Sequence, residues 1–391
     1  MFSTIKKTTY LTISNILIRL SSVLFFIILA RSLSVSNYGS FRYLLTLSMM
    51  IGLFFTGIPT ALTKYLSEKK DHSYTSTSLF LMSFIFIILL IPSLFYDYRL
   101  SLFLFALLVD AFYLGFIRGL LNYIKLAGFK LLENIIQLII LIVSYILLKE
   151  INFDFAVIFY SFSGILSLII FEIIKPEIKL TKIDKQKIKQ IITYTIPVTL
   201  GSIGWTLMFG INSIFIKMFH DTEQLGYFSV GTTIVQVFTF LPEAITTILM
   251  PKTSSLKDKS KLKKPLKLAI LGTIITSTIG LILLLILNKF LITLLFGEKY
   301  IKTSLIILPL SLGQIFISLH QIYASIFQGL NKPQIPSTTI SIAAFLNIIG
   351  SYFLTKNYGI LGSSISNAIT SFIALIIILI IFKKDFQKFF I

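Results

Sequence analysis

The chain has 391 residues, of which 55% are hydrophobic and 13% charged, with no cysteine and a net charge of +19. Soluble domains carry about 25% charged residues, so a chain with half that share is not a string of water-soluble domains. The missing cysteines exclude disulfide scaffolds, thiolate metal sites and cysteine nucleophiles.

Apolar runs of about 20 residues recur along the whole chain, each long enough to cross about 30 Å of hydrocarbon as a helix. Twelve spans are predicted, at 9–31, 41–64, 75–96, 100–122, 127–148, 153–174, 192–216, 227–250, 268–288, 303–327, 334–355 and 359–382. The first carries Asn15 and Arg19 in its middle and no A-x-A site follows it, so it reads as a retained span rather than a cleaved leader. The second contains Gly57-Ile58-Pro59. In the fourth, Asp110 and Arg118 lie eight residues apart, about 12 Å along a helix axis. Lys130, Glu133, Asn134 and Gln137 recur at helical spacing in the fifth, with Lys130 and Glu133 placed as an i,i+3 pair. A basic segment, 175–189, then separates six spans from six. The seventh span carries Asn212 and ends at Lys217, and the eighth holds Pro242-Glu243. A second basic segment, 252–267, precedes the last four. The predicted organisation is a six-helix lobe over 1–175, a basic cytoplasmic linker over 176–191 and a second six-helix lobe over 192–391.

With the N-terminus placed in the cytoplasm, the inside segments hold 25 Lys and Arg and the outside segments 9. The positive-inside rule then puts both termini in the cytoplasm. The basic balance is therefore a topology signal, supported by anionic lipid headgroups, and not the footprint of a nucleic-acid partner.

The halves also repeat. Asn37-Tyr38-Gly39-Ser40-Phe41 follows the first span and Gln224-Leu225-Gly226-Tyr227-Phe228 the seventh. Arg118-Gly119-Leu120-Leu121-Asn122 closes the fourth and Gln328-Gly329-Leu330-Asn331 the tenth. Repeats of six spans insert the same way up, so the expected relation is a pseudo-two-fold along the membrane normal with a cavity between two lobes.

The stretch Ile28-Leu29-Ala30-Arg31-Ser32-Leu33-Ser34-Val35-Ser36-Asn37-Tyr38-Gly39 is similar to the segment that ends the first span of polysaccharide flippases. Gly57-Ile58-Pro59, Ile196-Pro197 and Gly226-Tyr227-Phe228-Ser229-Val230 add to the likeness. The chain thus resembles lipid-linked oligosaccharide translocases of the multidrug/oligosaccharidyl-lipid/polysaccharide (MOP) exporter superfamily over essentially its whole length. The resemblance implies a MATE-like, all-α integral membrane fold of the bacterial cytoplasmic membrane. It implies as substrate a polyprenyl-pyrophosphate sugar, drawn from the surrounding membrane lipids, without a cofactor. It also admits a proton or sodium ion as coupling ion and a polysaccharide polymerase as protein partner. Many relatives carry an Asp in the seventh span where this chain has Asn212.

Transport needs no covalent chemistry, so the informative groups are polar ones at membrane depth. The chain lacks the G-x-x-x-x-G-K-[ST] nucleotide loop, and His72, His220 and His320 are too scattered in sequence to suggest a metal cluster. Arg19, about 15 Å into the first span, costs about 2.5–3.5 kcal/mol to insert. Its guanidinium fork suits pyrophosphate oxygens; the competing reading is a structural pair with Asp110. Asp110 is read either as that partner or as a proton or sodium site. Arg118 could contact substrate or snorkel to headgroups, and the same choice applies to Arg31 and Lys217 at the outer mouth. Glu133 belongs to a polar stripe, and Glu243 sits where Pro242 frees a backbone carbonyl. The leading expectation is a flippase for an undecaprenyl-pyrophosphate-linked oligosaccharide, working by alternating access and not an enzyme. The alternative is a cation-coupled multidrug exporter of the same superfamily.

Overall fold

A computed structural model describes residues 2–148, 151–174, 176–255 and 262–390. Lys149, Lys175 and the middle of the second basic segment, 256–261, lie outside the described residues. The chain divides into two compact units, Met1–Leu200 and Gly201–Ile391. Among the described residues every regular element is helical.

The first unit holds α1 (Phe2–Ser32), α2 (Val35–Ile51), α3 (Leu53–Lys69), α4 (Ser73–Tyr96), α5 (Tyr98–Gly119), α6 (Tyr123–Leu148) and α7 (Phe153–Ile174), together with the first part of α8 (Lys185–Phe219). The second unit holds the rest of α8, α9 (Thr222–Val235), α10 (Phe240–Ser255), α11 (Lys263–Phe296), α12 (Ile307–Gly329) and α13 (Gln334–Phe390). α13 is two helices joined at Gly359, whose φ of 59° and ψ of −140° break the helix. Nine described helices are long and apolar enough to cross a membrane, and α2 with α3, bent by 59° at their junction, makes a tenth as a broken span. α9 and α10, of 14 and 16 residues, fall short singly and share one predicted apolar run.

The helices bury an apolar core and also expose large apolar side chains on their outer surfaces. On α4 the first turns, Tyr74 to Ser78, are buried together with Leu81 and Met82, whereas Ile87, Ile88, Ile91 and Phe95 are exposed. Lipid solvates Ile and Phe as well as a protein core does, so helices associate through small residues that permit close approach. Gly115 of α5 lies against Pro59 of α3, where an added Cβ would sit 2.8 Å from the proline. The Thr63 hydroxyl, 2.9 Å from the Pro59 carbonyl and 3.0 Å from that of Gly115, ties the same two helices.

The internal repeat is written into the backbone of each unit. Ser34 caps α2 by accepting the Asn37 N–H, and Asp221 caps α9 by accepting the Gln224 N–H. In each case the repeated glycine, Gly39 or Gly226, follows five residues after the cap. Past α5 and past α12, left-handed residues turn the chain at matching places, Leu121 (φ 56°) and Asn331 (φ 59°). Each lies two residues beyond the helix-closing glycine.

The eighth predicted span breaks for the reason its sequence suggests. Pro242 has no N–H to give the Phe238 carbonyl four residues back, and the helix tightens into a 3-10 turn at Gln236–Thr239. The freed Phe238 carbonyl accepts a hydrogen bond from Ser318 of α12 at 3.2 Å. The break is thus met by protein.

Candidate functional site

The interior of the first unit is built around charges. Lys130 and Glu133, three residues apart on α6, pair at 2.9 Å as their spacing predicts. Asp110 of α5 completes the group, 2.7 Å from the Lys130 ammonium. By rise per residue, Lys130, Asp110 and Glu133 lie roughly 10–15 Å from the nearer ends of their helices. One turn on, the Gln137 amide donates to Ser163 of α7 at 2.8 Å in a fully buried bond. Phe25, Phe41, Phe103 and Tyr160 close the adjoining space with ring contacts of 5.2–5.7 Å between centroids.

The structure therefore assigns Asp110 to Lys130, where the sequence had offered Arg19 as its partner. Arg19 sits half-buried on α1, which packs along α6, about 20 Å from the Ser32 end of its helix. Glu133 is the third member of the Asp110 cluster. Arg118 is exposed in the last turn of α5, and Arg31 and Lys217 are exposed in the last turns of α1 and α8. There the cations also face the negative end of the helix dipole. Glu243 is half-buried in the first turn of α10, beside the 3-10 break. The structure does not bring Arg118 into the cluster with Asp110.

Two features of the first unit were missed from the sequence. The basic segment after α7 is a strap stitched to the helix ends. Buried Lys125 pairs with Glu172 at 3.2 Å and Glu177 at 3.0 Å, and Glu172 accepts the N–H groups of Glu177 and Ile178. The Thr181 N–H donates to Ser76 at 2.7 Å. At the start of α8, Lys187 engages Asp71 and Ser73 in the α3–α4 turn. That ammonium and the Ser73 N–H hold the Asp71 carboxyl at about 2, below its usual range.

The second missed feature is an aromatic cage at the α3 end of the unit. The Lys64 ammonium lies 4.5 Å from the ring centre of Tyr194 and 5.3 Å from that of Tyr65. Tyr65 stacks on Tyr74 at 5.0 Å, and Lys69 donates to the Tyr74 hydroxyl at 2.8 Å. Only the tyrosine–lysine spacing on α3 hinted at it, because Tyr194 comes 130 residues after Lys64.

The second unit differs in kind. Asn212, fully buried, accepts hydrogen bonds from Ser351 at 2.5 Å and Ser363 at 3.2 Å. Asn347 donates to the Met208 carbonyl at 2.9 Å and accepts from Ser366 at 2.9 Å. Among the described residues, the buried polar side chains of this unit are all neutral. An Asp at position 212 would have introduced a charge, and Asn keeps the geometry without one.

The polysaccharide biosynthesis protein family matches residues 4–257. The chain belongs to that family. Capsular polysaccharide biosynthesis protein CapF of Staphylococcus aureus is 26% identical over 401 residues, covering 98% of this chain and 100% of CapF. In fold, the chain is similar to the lipid II flippase MurJ in an inward closed conformation, with a TM-score of 0.77 and 17% identity over 97% of this chain and 89% of the other. An inward-facing MATE multidrug resistance transporter of the MOP superfamily gives 0.75 and 12% identity over 95% of each chain. The protein is thus a multi-pass membrane member of the polysaccharide biosynthesis family with the fold of MOP transporters.

Proposed function

We propose that the protein is a flippase that carries an undecaprenyl-pyrophosphate-linked oligosaccharide from the inner to the outer leaflet of a bacterial cytoplasmic membrane, with both termini in the cytoplasm. Binding and alternating access suffice for this task, and no covalent step is needed. The carrying observation is Arg19, a half-buried guanidinium inside the first span of a chain of this family. A buried cation of that depth is tolerable where it meets an anion, and a guanidinium matches two phosphate oxygens at once. The drug-exporter alternative asks for acids open to a cation, but Asp110 and Glu133 are both held by Lys130.

Glycan export in cells lacking the native flippase tests the reading. Arg19→Ala should insert normally and abolish export, while Arg19→Lys should retain part of it, because Lys keeps the charge and loses the fork. Since Asp110 already pairs with Lys130, Arg19→Ala with Asp110→Asn should stay inactive. Full export by that double variant would overturn the role of Arg19.

A further inference from the structure

We infer that Lys64, between the rings of Tyr65 and Tyr194, forms a subsite that receives the first phosphate-linked sugar of the glycan lipid at the α3 and α8 ends of the first unit; this rests on the flippase reading. Charge pairing and burial together set the residue apart from the paired cations of its unit. Lys125, Lys130, Lys187 and Arg99 of the same unit each pair with two carboxylates. Lys64 is half-buried, and among the described residues no carboxylate pairs with it; its contacts are aromatic. Lys69, next along the same edge, is bonded to Tyr74 and Gln190 and adds a second ammonium without neutralising the first. A half-desolvated ammonium favours an anion, and tyrosine rings with their hydroxyls offer both an apolar face and hydrogen-bonding edges. A sugar presents C–H faces and hydroxyls in the same way, and a glycosyl phosphate joins that sugar to an anion. The position also fits, because Lys64 lies five residues before the end of α3, about 8 Å along the axis. That is within reach of the headgroup layer in which a lipid-linked phosphate resides.

The test uses the full-length protein in nanodiscs of neutral lipid, with binding measured for three probes: a polyprenyl-pyrophosphate disaccharide, the same polyprenyl pyrophosphate without sugar, and phosphatidylglycerol. Wild type should prefer the disaccharide probe. Lys64→Met should weaken both pyrophosphate probes about ten-fold, with Lys64→Arg recovering much of the loss. Tyr194→Leu should weaken the disaccharide probe and leave the sugar-free probe unchanged. Thermal unfolding of each variant checks that the fold is retained. If the variants bind like wild type while wild type binds and transports the disaccharide probe, the subsite is overturned and the flippase reading stands. If phosphatidylglycerol competes as well as the disaccharide probe, the cage is a general anionic-lipid contact and the inference fails. If wild type neither binds nor moves the disaccharide probe, the flippase reading itself falls.

Discussion

Lys130 stands between Asp110 and Glu133 at 2.7 and 2.9 Å, and the three side chains share a partly dry space. Removing the cation alone leaves two carboxylates facing each other without compensation. Breaking a buried pair from one side costs about 3–5 kcal/mol, whereas neutralising every member costs far less. Lys130→Met should therefore unfold at a markedly lower temperature in detergent. Adding Asp110→Asn and Glu133→Gln to the same chain should restore most of the loss, and a triple variant no more stable than the single one would contradict the ion-pair account. Asp71 makes a pH-dependent contribution of known sign. Its carboxyl is held at about 2 by Lys187, below the unfolded value near 4. The stabilisation is present above that unfolded value and is lost as pH falls from about 4 toward 2. The pair is partly exposed, so the effect is small. Unfolding temperatures from pH 6 down to 3 should fall less steeply in Lys187→Gln than in wild type.

At the scale of elements, helix contacts are set by where the backbone can come close. Gly115 is the tightest case between α3 and α5, because a side chain there would enter Pro59. Gly115→Leu should separate the helices and cost about 1–3 kcal/mol or more through overpacking. Gly359 is needed for its φ of 59° with ψ of −140°, a region essentially reserved for glycine in which another residue costs of order 1–3 kcal/mol. Gly359→Ala should be a milder lesion than Gly115→Leu, a ranking that thermal stability in one detergent can check. These elements also show what a single sequence reveals. The apolar spans, the repeated glycine motifs and the Lys130–Glu133 pair were legible, because they depend on residues a few positions apart. The Pro242 break was legible as a freed carbonyl, but Ser318 as its acceptor's partner was not. Asp110 with Lys130, and Lys64 with Tyr194, join residues on different helices. No periodicity within one helix specifies which neighbour will face it.

Across the whole molecule, the asymmetry of charge is the proposed guide to orientation. The cytoplasmic assignment of the basic segments predicts that a cysteine replacing Lys264 will react with an impermeant maleimide only after the membrane is opened. A cysteine replacing Lys356 should react in intact cells. The absence of native cysteine makes the readout clean, and the opposite labelling pattern would invert the topology. The two units also differ in their interiors, with charged clusters in the first and a neutral Asn–Ser network in the second among the described residues. The caps and turns are nonetheless shared, at Ser34 and Asp221 and at Leu121 and Asn331.

The strap after α7 has a bearing on how the chain could be cut. Its lysines look like easy targets for trypsin, yet Glu177, Ile178, Thr181 and Asp184 are all bonded to the helix ends. Residues 185–200 of α8, moreover, belong to the first unit although they follow the strap. A gene divided within 176–184 would yield a second fragment that begins with a helix whose first four to five turns dock on the product of the first. Lys187 on Asp71 and Gln190 on Tyr74 would serve as the rejoining contacts. Two separately translated pieces of this protein should therefore find each other in the bilayer and reassemble.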